Sequence, residues 1–175
     1  MDGEEELVRL LTSDGTWKAF AEDWEKQCEP YEEDFSHYAE ATFSVVRDII
    51  ETEQGNAGVF ALRIKGKHVA MCQANRAMLP RYDGPVLRVR FITLSPELDL
   101  GDADLQEYGA ILVSLLTQII GLSLLDDKLK SKYIKFHLRS PADRPFFSAL
   151  GKGLHEANFF ETVAMQGMWL YISHK

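Results

Sequence analysis

The chain has 175 residues, enough for one ordinary domain with a substantial core and short for two. Hydrophobic content of 46% and charged content of 26% exclude wholesale disorder, and a net charge of −8 argues against a general nucleic-acid binder. The charge is unevenly placed: residues 1–54 hold 16 Asp or Glu against four Lys or Arg, whereas residues 55–175 hold 11 against 15, balances of −12 and +4.

A single domain over residues 1–175 is expected, with an acidic helical part to residue 54 and a sheet-bearing core from residue 55. Cys28 and Cys72 lie 44 positions apart with neither CxxC spacing nor clustered His, and no secretory leader precedes them. They read as reduced side chains of a cytoplasmic protein, with no metal site.

In chain order, "EEELVRLLTS" fits a short strand or a helical turn equally well. A helix follows from Asp14, with Ser13 or Asp14 as N-cap and Trp17, Phe20, Ala21 and Trp24 at helical spacing. Pro30 interrupts it. A second helix covers Phe35 to Thr52, its inward stripe read as Tyr38, Ala41, Val45, Ile49 and Ile50, and "EQGNAG" ends it. Two β-rich runs joined at "KGK" predict a hairpin, and "GPVLRVRFITLSP" a third antiparallel strand. After the acidic stretch "ELDLGDAD" comes the apolar helix "YGAILVSLLTQIIGLSLL", broken by polar residues and short for a bilayer span, so a buried helix is expected. "YIKFHL" gives a fourth strand, placed parallel to the third by its helical crossover. "SPADRPFFSALGKGLHEA" reads as a short helix with Ser140 as N-cap and Pro141 first, and "FFETVAMQGMWLYIS" as a final strand or pair. The order predicts an α/β architecture of the mixed α+β kind: a central sheet with an antiparallel meander and one parallel crossover pair, flanked by helices.

Within that order, "LSP" (Leu94 to Pro96) followed by Gln106-Glu107-Tyr108-Gly109-Ala110-Ile111 resembles the strand end and Gln-x-x-Gly-x-Gly/Ala loop of the GCN5-related N-acetyltransferase (GNAT) superfamily, with Ile111 at the last position. "FFSALGK" resembles the family's Tyr-x-x-x-Gly-Phe helix end, with Phe147 at the tyrosine position, Gly151 at the glycine and Lys152 at the phenylalanine. "LRVRFIT" carries no counterpart of the carboxylate often found on the family's central strand. The resemblance covers nearly the whole chain and implies a GNAT-like fold that binds acetyl-CoA or another acyl-CoA. It implies that Ile92 and Leu94 backbone groups pair with the pantetheine arm, and that the amides of Gln106, Glu107, Tyr108, Gly109 and Ala110 lie near the pyrophosphate. In the family the tyrosine of that helix end can protonate the leaving thiolate; with Phe147 in its place, Tyr108 and Tyr133 are the candidate stand-ins for this acid. The acids Glu97, Asp99, Asp102, Asp104 and Glu107 oppose a phosphate at this turn, or serve as capping chemistry with Asp104 as N-cap.

Strand alternation supplies a second pattern. Phe60, Leu62 and Ile64 oppose Arg63 and Lys65; Leu87, Val89 and Phe91 oppose Arg88 and Arg90; Ile134, Phe136 and Leu138 oppose Lys135, His137 and Arg139. The middle strand adds either Gln73 and Asn75 or Arg76. In register, one sheet face is apolar and the other carries six cations without an acid. Two readings are open: the acidic N-terminal helices or solvent neutralise that face, or Arg88 and Arg90 bind a carboxylate or phosphate. The functional expectation is a divergent acyl-CoA-dependent N-acyltransferase on a small-molecule or peptide amine. The alternative is a catalytically degenerate GNAT-fold protein binding an anionic metabolite or a protein partner. Neither nucleic acid nor membrane is expected as a partner, and the sequence allows a homodimer.

Overall fold

The computed structural model describes residues 4–53 and 55–175, with Ala39 and Ala142 described in backbone only. Alternating runs form strands β1 (Glu5–Arg9), β2 (Ala57–Ile64), β3 (Lys67–Met78), β4 (Pro85–Leu94), β5 (Tyr133–His137), β6 (Phe160–Gln166) and β7 (Trp169–His174). They make one sheet in the order β1-β2-β3-β4-β5-β7-β6. Only β4 and β5 run parallel, and a helix joins them, as a parallel connection requires. The mixed sheet, its meander and its parallel pair are as the sequence predicts. The ambiguous N-terminal run is a strand: it caps the free edge of β2 in a register that pairs Glu5 with Ile64 and Arg9 with Phe60. The β2–β3 turn places Lys65 and Gly66 at φ of 52° and 79°, the two positive values that a tight hairpin of this hand needs.

The helices are α1 (Thr16–Cys28), α2 (Phe35–Thr52), the short α3 (Pro96–Leu100), α4 (Leu105–Leu125) and α5 (Arg144–Glu156). Several local expectations are corrected. The cap of α1 is Gly15, not Ser13 or Asp14, although Asp14 Oδ1 still accepts the Thr16 N–H at 3.0 Å. Helix α2 has the predicted bounds; of its predicted stripe Ile50 is buried and Tyr38 and Ile49 pack against the core, but Ala41 and Val45 are exposed, and Phe43 and Val46 are buried in their stead. The rotation brings the Phe43 ring into an aromatic cluster with Trp17, Phe20 and Trp24. Of "EQGNAG", Gln54 lies outside the described residues, and Glu53 ends α2 at φ 49°. The acidic stretch contains a helical turn, α3, rather than a plain loop. Ser140 and Pro141 hold the predicted N-cap and first positions, but of a 3₁₀ turn over Pro141–Asp143 and without a side-chain cap bond, and helix α5 begins at Arg144. Pro141 and Pro145 lie in the first turn of each, where an N–H would have no intrahelical partner anyway.

Apolar residues cover both sheet faces, giving two cores. On one, Leu62, Cys72, Leu87, Val89, Ile134 and Phe136 pack against Leu112, Leu115 and Ile119 of α4 and Phe147 of α5. On the other, Val59, Ala61 and Met71 pack under Phe20 and Trp24 of α1 and Phe43, Val46 and Ile50 of α2. Each large side chain so buried contributes about 1.5–3 kcal/mol of transfer free energy. Helix α4 is long and apolar enough by composition to cross a bilayer; in the fold it lies on the sheet with its inner residues in the core. Both cysteines are free and buried, and burial pushes the Cys72 thiol up to about 12.

Polar contacts seat α1 on β3. The Trp24 Nε1–H and Gln27 Nε2–H donate to the His68 carbonyl at 3.1 and 3.0 Å, and Asp23 Oδ2 accepts the His68 N–H at 2.7 Å. The His68 ring nitrogen Nδ1 lies 2.8 Å from the same carboxylate oxygen.

Candidate functional site

Two irregularities in β4 open a cleft in the sheet. Against β3 the register pairs Met71 with Thr93 but Gln73 with Arg90, so Cys72 alone faces Phe91 and Ile92. This is a β-bulge, and Phe91 takes a φ of 56° in it. Against β5, pairing ends at Val89 and Phe136, while β4 continues to Leu94. The parallel strands part beyond that pair. A cleft of about 540 Å³ occupies the gap, lined by Arg90 to Thr93 of β4, His137 to Arg139 at the end of β5, Thr42, Asp99 and Trp169.

The β4 edge facing this gap is polar backbone. Ser95 N–H donates to Val69 O of β3 at 2.9 Å, so the alternation of backbone direction along a strand turns the N–H and C=O groups of Leu94 and Ile92 the other way, into the cleft. The Leu94 carbonyl already has a partner, the Tyr38 hydroxyl of α2 at 2.7 Å.

The first turn of α4 is closed by its own groups. Asp104 Oδ1 accepts the Glu107 N–H at 2.7 Å, the capping role expected of it, and Asp104 O accepts the Tyr108 N–H at 3.0 Å. Gln106, Glu107 and Ala110 are exposed at this end of the helix, while Gly109 is buried. A Cβ on Gly109 would stand 2.9 Å from Phe146 Cε2, so the missing side chain admits a phenyl ring from α5. That use of the glycine differs from the phosphate approach implied by the resemblance.

The acids of the β4–α4 connection are largely tied down. Glu97 pairs with Lys67 at 2.6 Å. Asp99 pairs with Arg139 Nη1 at 2.9 Å, across the mouth between the ends of β4 and β5, and also lies 3.2 Å from the Tyr38 hydroxyl. Arg139 Nε stands 3.5 Å from Asp143 Oδ2, an ion pair without hydrogen-bond alignment, since that oxygen accepts no hydrogen bond. Asp143 Oδ1 accepts from Tyr108 Oη at 2.5 Å, and the Arg139 guanidinium lies 5.1 Å from the Tyr108 ring centroid. Tyr38, Asp99, Arg139, Asp143 and Tyr108 thus form one chain of contacts around the mouth.

The two tyrosines named from the sequence separate. Tyr108 sits at the mouth, but burial and then its bond to Asp143 push its hydroxyl well above the ordinary tyrosine range, so it is a poor proton donor. Tyr133 begins β5 opposite Val86, at the far end of the parallel pair, where its hydroxyl bonds Asp83. Four residues at about 3.3 Å each put it roughly 13 Å along the strand from His137. Phe147 is fully buried in the core beneath α5, away from the cleft lining.

The predicted cationic face is divided. Gln73 and Asn75, not Arg76, share it, paired with Arg90 and Arg88. Over β2 and β3 the same face carries Val59, Ala61 and Met71 and is covered by α1 and α2. Of the six cations, Arg63 pairs with Glu6, Lys65 lies in the hairpin turn, and Arg139 pairs with Asp99 and Asp143, so the face is not free of acid. Arg88, Arg90 and Lys135 remain together. The acidic helices lie beside them and make no ion pair with them among the described residues. Arg90 Nε donates to Gln73 Oε1 at 3.4 Å, while Arg88 Nε is buried without a hydrogen-bond partner. Lys135 Nζ lies 4.4 and 5.2 Å from the ring centroids of Trp169 and Tyr171. Burial and the charge of Arg88 lower the pKa of both Arg90 and Lys135.

Sequence reasoning assigned no site role to Tyr38, Asp143, His137 or Trp169. Asp143 had a signal, since it stands four residues after Arg139 around Pro141; the other three come together only through tertiary packing. No protein-family model and no curated protein sequence matches the chain. Among solved structures it is similar to a probable acetyltransferase from Staphylococcus epidermidis, at 13% identity over 98% of this chain and 99% of that one with a TM-score of 0.55. It is also similar to an N-acetyltransferase from Staphylococcus aureus, at 14% identity over 97% of both chains with a TM-score of 0.52. The seven-stranded mixed sheet, the bulge in β4 and the parted parallel pair give the chain the fold of the GCN5-related N-acetyltransferases.

Proposed function

We propose that the protein is an acyl-CoA-dependent N-acyltransferase, moving an acyl group from a CoA thioester to an amine. One observation carries the reading: β4 is bulged and parts from β5, presenting an unladdered, hydrogen-bonding strand edge inside a cleft of about 540 Å³. An arm containing amides can complete such an edge as a further strand would. The arm fits the backbone groups of Ile92 and Leu94 once the Tyr38 hydroxyl releases the Leu94 carbonyl. The phosphate end fits less well, because Asp104 occupies the Glu107 amide and Phe146 covers Gly109.

Bound acyl-CoA would supply an activated thioester. The chain's own residues hold the reactants together and take up a proton, which suffices for aminolysis of an activated acyl group. His137 is the cleft-lining imidazole, packed edge-on against Trp169 at 4.6 Å, and it is the residue we assign to accept the amine proton, directly or through water. Tyr108 and Tyr133 are not assigned this role.

Calorimetry with acetyl-CoA and longer acyl-CoAs tests the reading, together with thiol release in the presence of an amine panel. Saturable binding and amine-dependent thiol release are expected, with release lost in His137→Ala. No binding at millimolar acyl-CoA sinks the proposal. Binding without release on any amine supports the second reading, a GNAT-fold protein without transfer chemistry. The closed first turn of α4 and the buried Phe147 favour that second reading.

A further inference from the structure

The half of the sheet that α1 and α2 leave uncovered carries two cross-strand rows. Asn75, Arg88, Lys135 and Tyr171 are consecutive register partners across β3, β4, β5 and β7. In the next row Gln73 pairs with Arg90 on one side of the cleft and His137 with Trp169 on the other. The rows lie two residues apart along the strands, about 6.6 Å.

Their composition is one-sided. The chain has 27 Asp and Glu, and three other cations are given one: Arg63 has Glu6, Lys67 has Glu97, and Arg139 has Asp99 and Asp143. Arg88, Arg90 and Lys135 have none among the described residues, although they crowd one another. Asp99 lines the same cleft but is engaged by Arg139. The three side chains are half-buried, and at one donor solvent is excluded too, since Arg88 Nε is buried with no hydrogen-bond partner. Lys135 rests on two aromatic rings in place of a carboxylate. Like charges gathered at a part-buried site, with a donor left over, are complementary to an oxyanion, which guanidinium groups bind through paired N–H donors.

We infer that Arg88, Arg90 and Lys135 form an anion site, and that the amine acceptor bears a carboxylate or a phosphate about one strand row from its reacting nitrogen. The acceptor half of this inference rests on the acyl-transfer reading; the anion site does not. Asn75 and Gln73 flank the site as neutral donors, and the Trp169 ring forms its wall toward the cleft.

The test uses inorganic phosphate and citrate as probes, followed by thermal denaturation at ionic strength held constant with chloride. The full chain is compared with Arg88→Gln/Lys135→Gln and with Arg63→Gln, which changes a cation outside the patch. The wild type and Arg63→Gln should gain thermal stability with at least one probe. The double variant should need roughly tenfold more of it, the weakening expected on losing charge-assisted contacts. Without a probe the double variant should melt no lower than the wild type, because it relieves like-charge repulsion, and this separates loss of a site from loss of folding. Phosphate protection alone points to a phosphorylated acceptor, citrate protection to a carboxylate. An unprotected wild type, or equal protection of the double variant, overturns the inference. Acyl-CoA binding is measured on the same proteins. Protection without acyl-CoA binding overturns the transfer reading while the anion site stands.

Discussion

Arg139→Gln removes the group at the centre of the contacts around the cleft mouth, and its cost can be worked from the two arms. The outer arm, to Asp99 Oδ1 at 2.9 Å, joins side chains 28% and 38% exposed, so solvent screening leaves it worth about 0.5 kcal/mol. The inner arm reaches Asp143, whose side chain is only 6% exposed and whose Oδ2 has no hydrogen bond. Removing one partner of a fully buried pair costs about 3–5 kcal/mol, which we halve for the partial exposure of Arg139 to about 2 kcal/mol. The sum, about 2.5 kcal/mol, corresponds to a fall in Tm of roughly 5–10 °C for a chain of this size. Thermal and urea denaturation of Arg139→Gln, Asp143→Asn, Asp99→Asn and the two doubles with Arg139→Gln measures both arms. The coupling to Asp143 should exceed that to Asp99 severalfold, and Asp143→Asn should recover much of the loss. A cost for Arg139→Gln below about 0.5 kcal/mol, or a coupling to Asp99 as large as that to Asp143, refutes this account of the mouth.

Two further outcomes are expected. Asp23→Ala deletes the acceptor for the His68 N–H, the His68 ring and Gln27, costing about 2 kcal/mol at neutral pH. Burial alone would raise the Asp23 pKa, but the bonds from His68 and Gln27 outweigh it and hold the carboxyl below its ordinary range. Its contribution is therefore full above about pH 4 and is lost as pH falls through the lower folded value. Wild type and Asp23→Ala should converge in stability in strong acid, and a gap that persists unchanged there contradicts the assignment. Phe147→Tyr places a hydroxyl in the core beside α5, so it should destabilise by about 1–3 kcal/mol and leave thiol release no faster. A faster release would show that this position reaches the cleft.

The fold was legible because its signals are local. The alternation in "FALRIK" and "LRVRFI" and the Lys65-Gly66 turn identify the meander, and the crossover rule makes β5 parallel to β4. The face assignment failed partly because alternation was taken to separate one apolar set from one polar set. In β2, Val59 and Ala61 are as buried as Phe60 and Leu62, since helices cover both sides of that strand. Alternation carries no such contrast there, and the cations that stay grouped belong to β4 and β5, beyond the helices' reach. The bulge at Phe91 has no mark in the sequence, because a non-glycine residue holds the positive φ. The contacts of Tyr38 with Leu94 and of Arg139 with Asp99 span 56 and 40 residues, and no periodicity reports them.

The acid that lines the β4–α4 connection is explained mostly by what it ties. Of Glu97, Asp99, Asp102, Asp104 and Glu107, the first binds Lys67 at the start of β3, the second binds Arg139 past the end of β5, and the fourth caps α4. Three carboxylates thus fasten one connection to β3, to β5 and to the helix it enters, strapping the open end of the parallel pair from both sides. A phosphate approaching α4 meets three carboxylates without a cation partner among the described residues, Asp102, Asp104 and Glu107, rather than five, and the helix terminus offers it only about half a positive charge. The Asp99–Arg139 pair also stands across the route between the strand ends, so a cofactor arm reaching Leu94 must displace the Tyr38 hydroxyl and pass beside that pair. On the open sheet face the charge is of the opposite sign, and among the described residues no carboxylate pairs with Arg88, Arg90 or Lys135. The protein separates its charges by location, with acid holding the cleft mouth in shape and base grouped on the open sheet face.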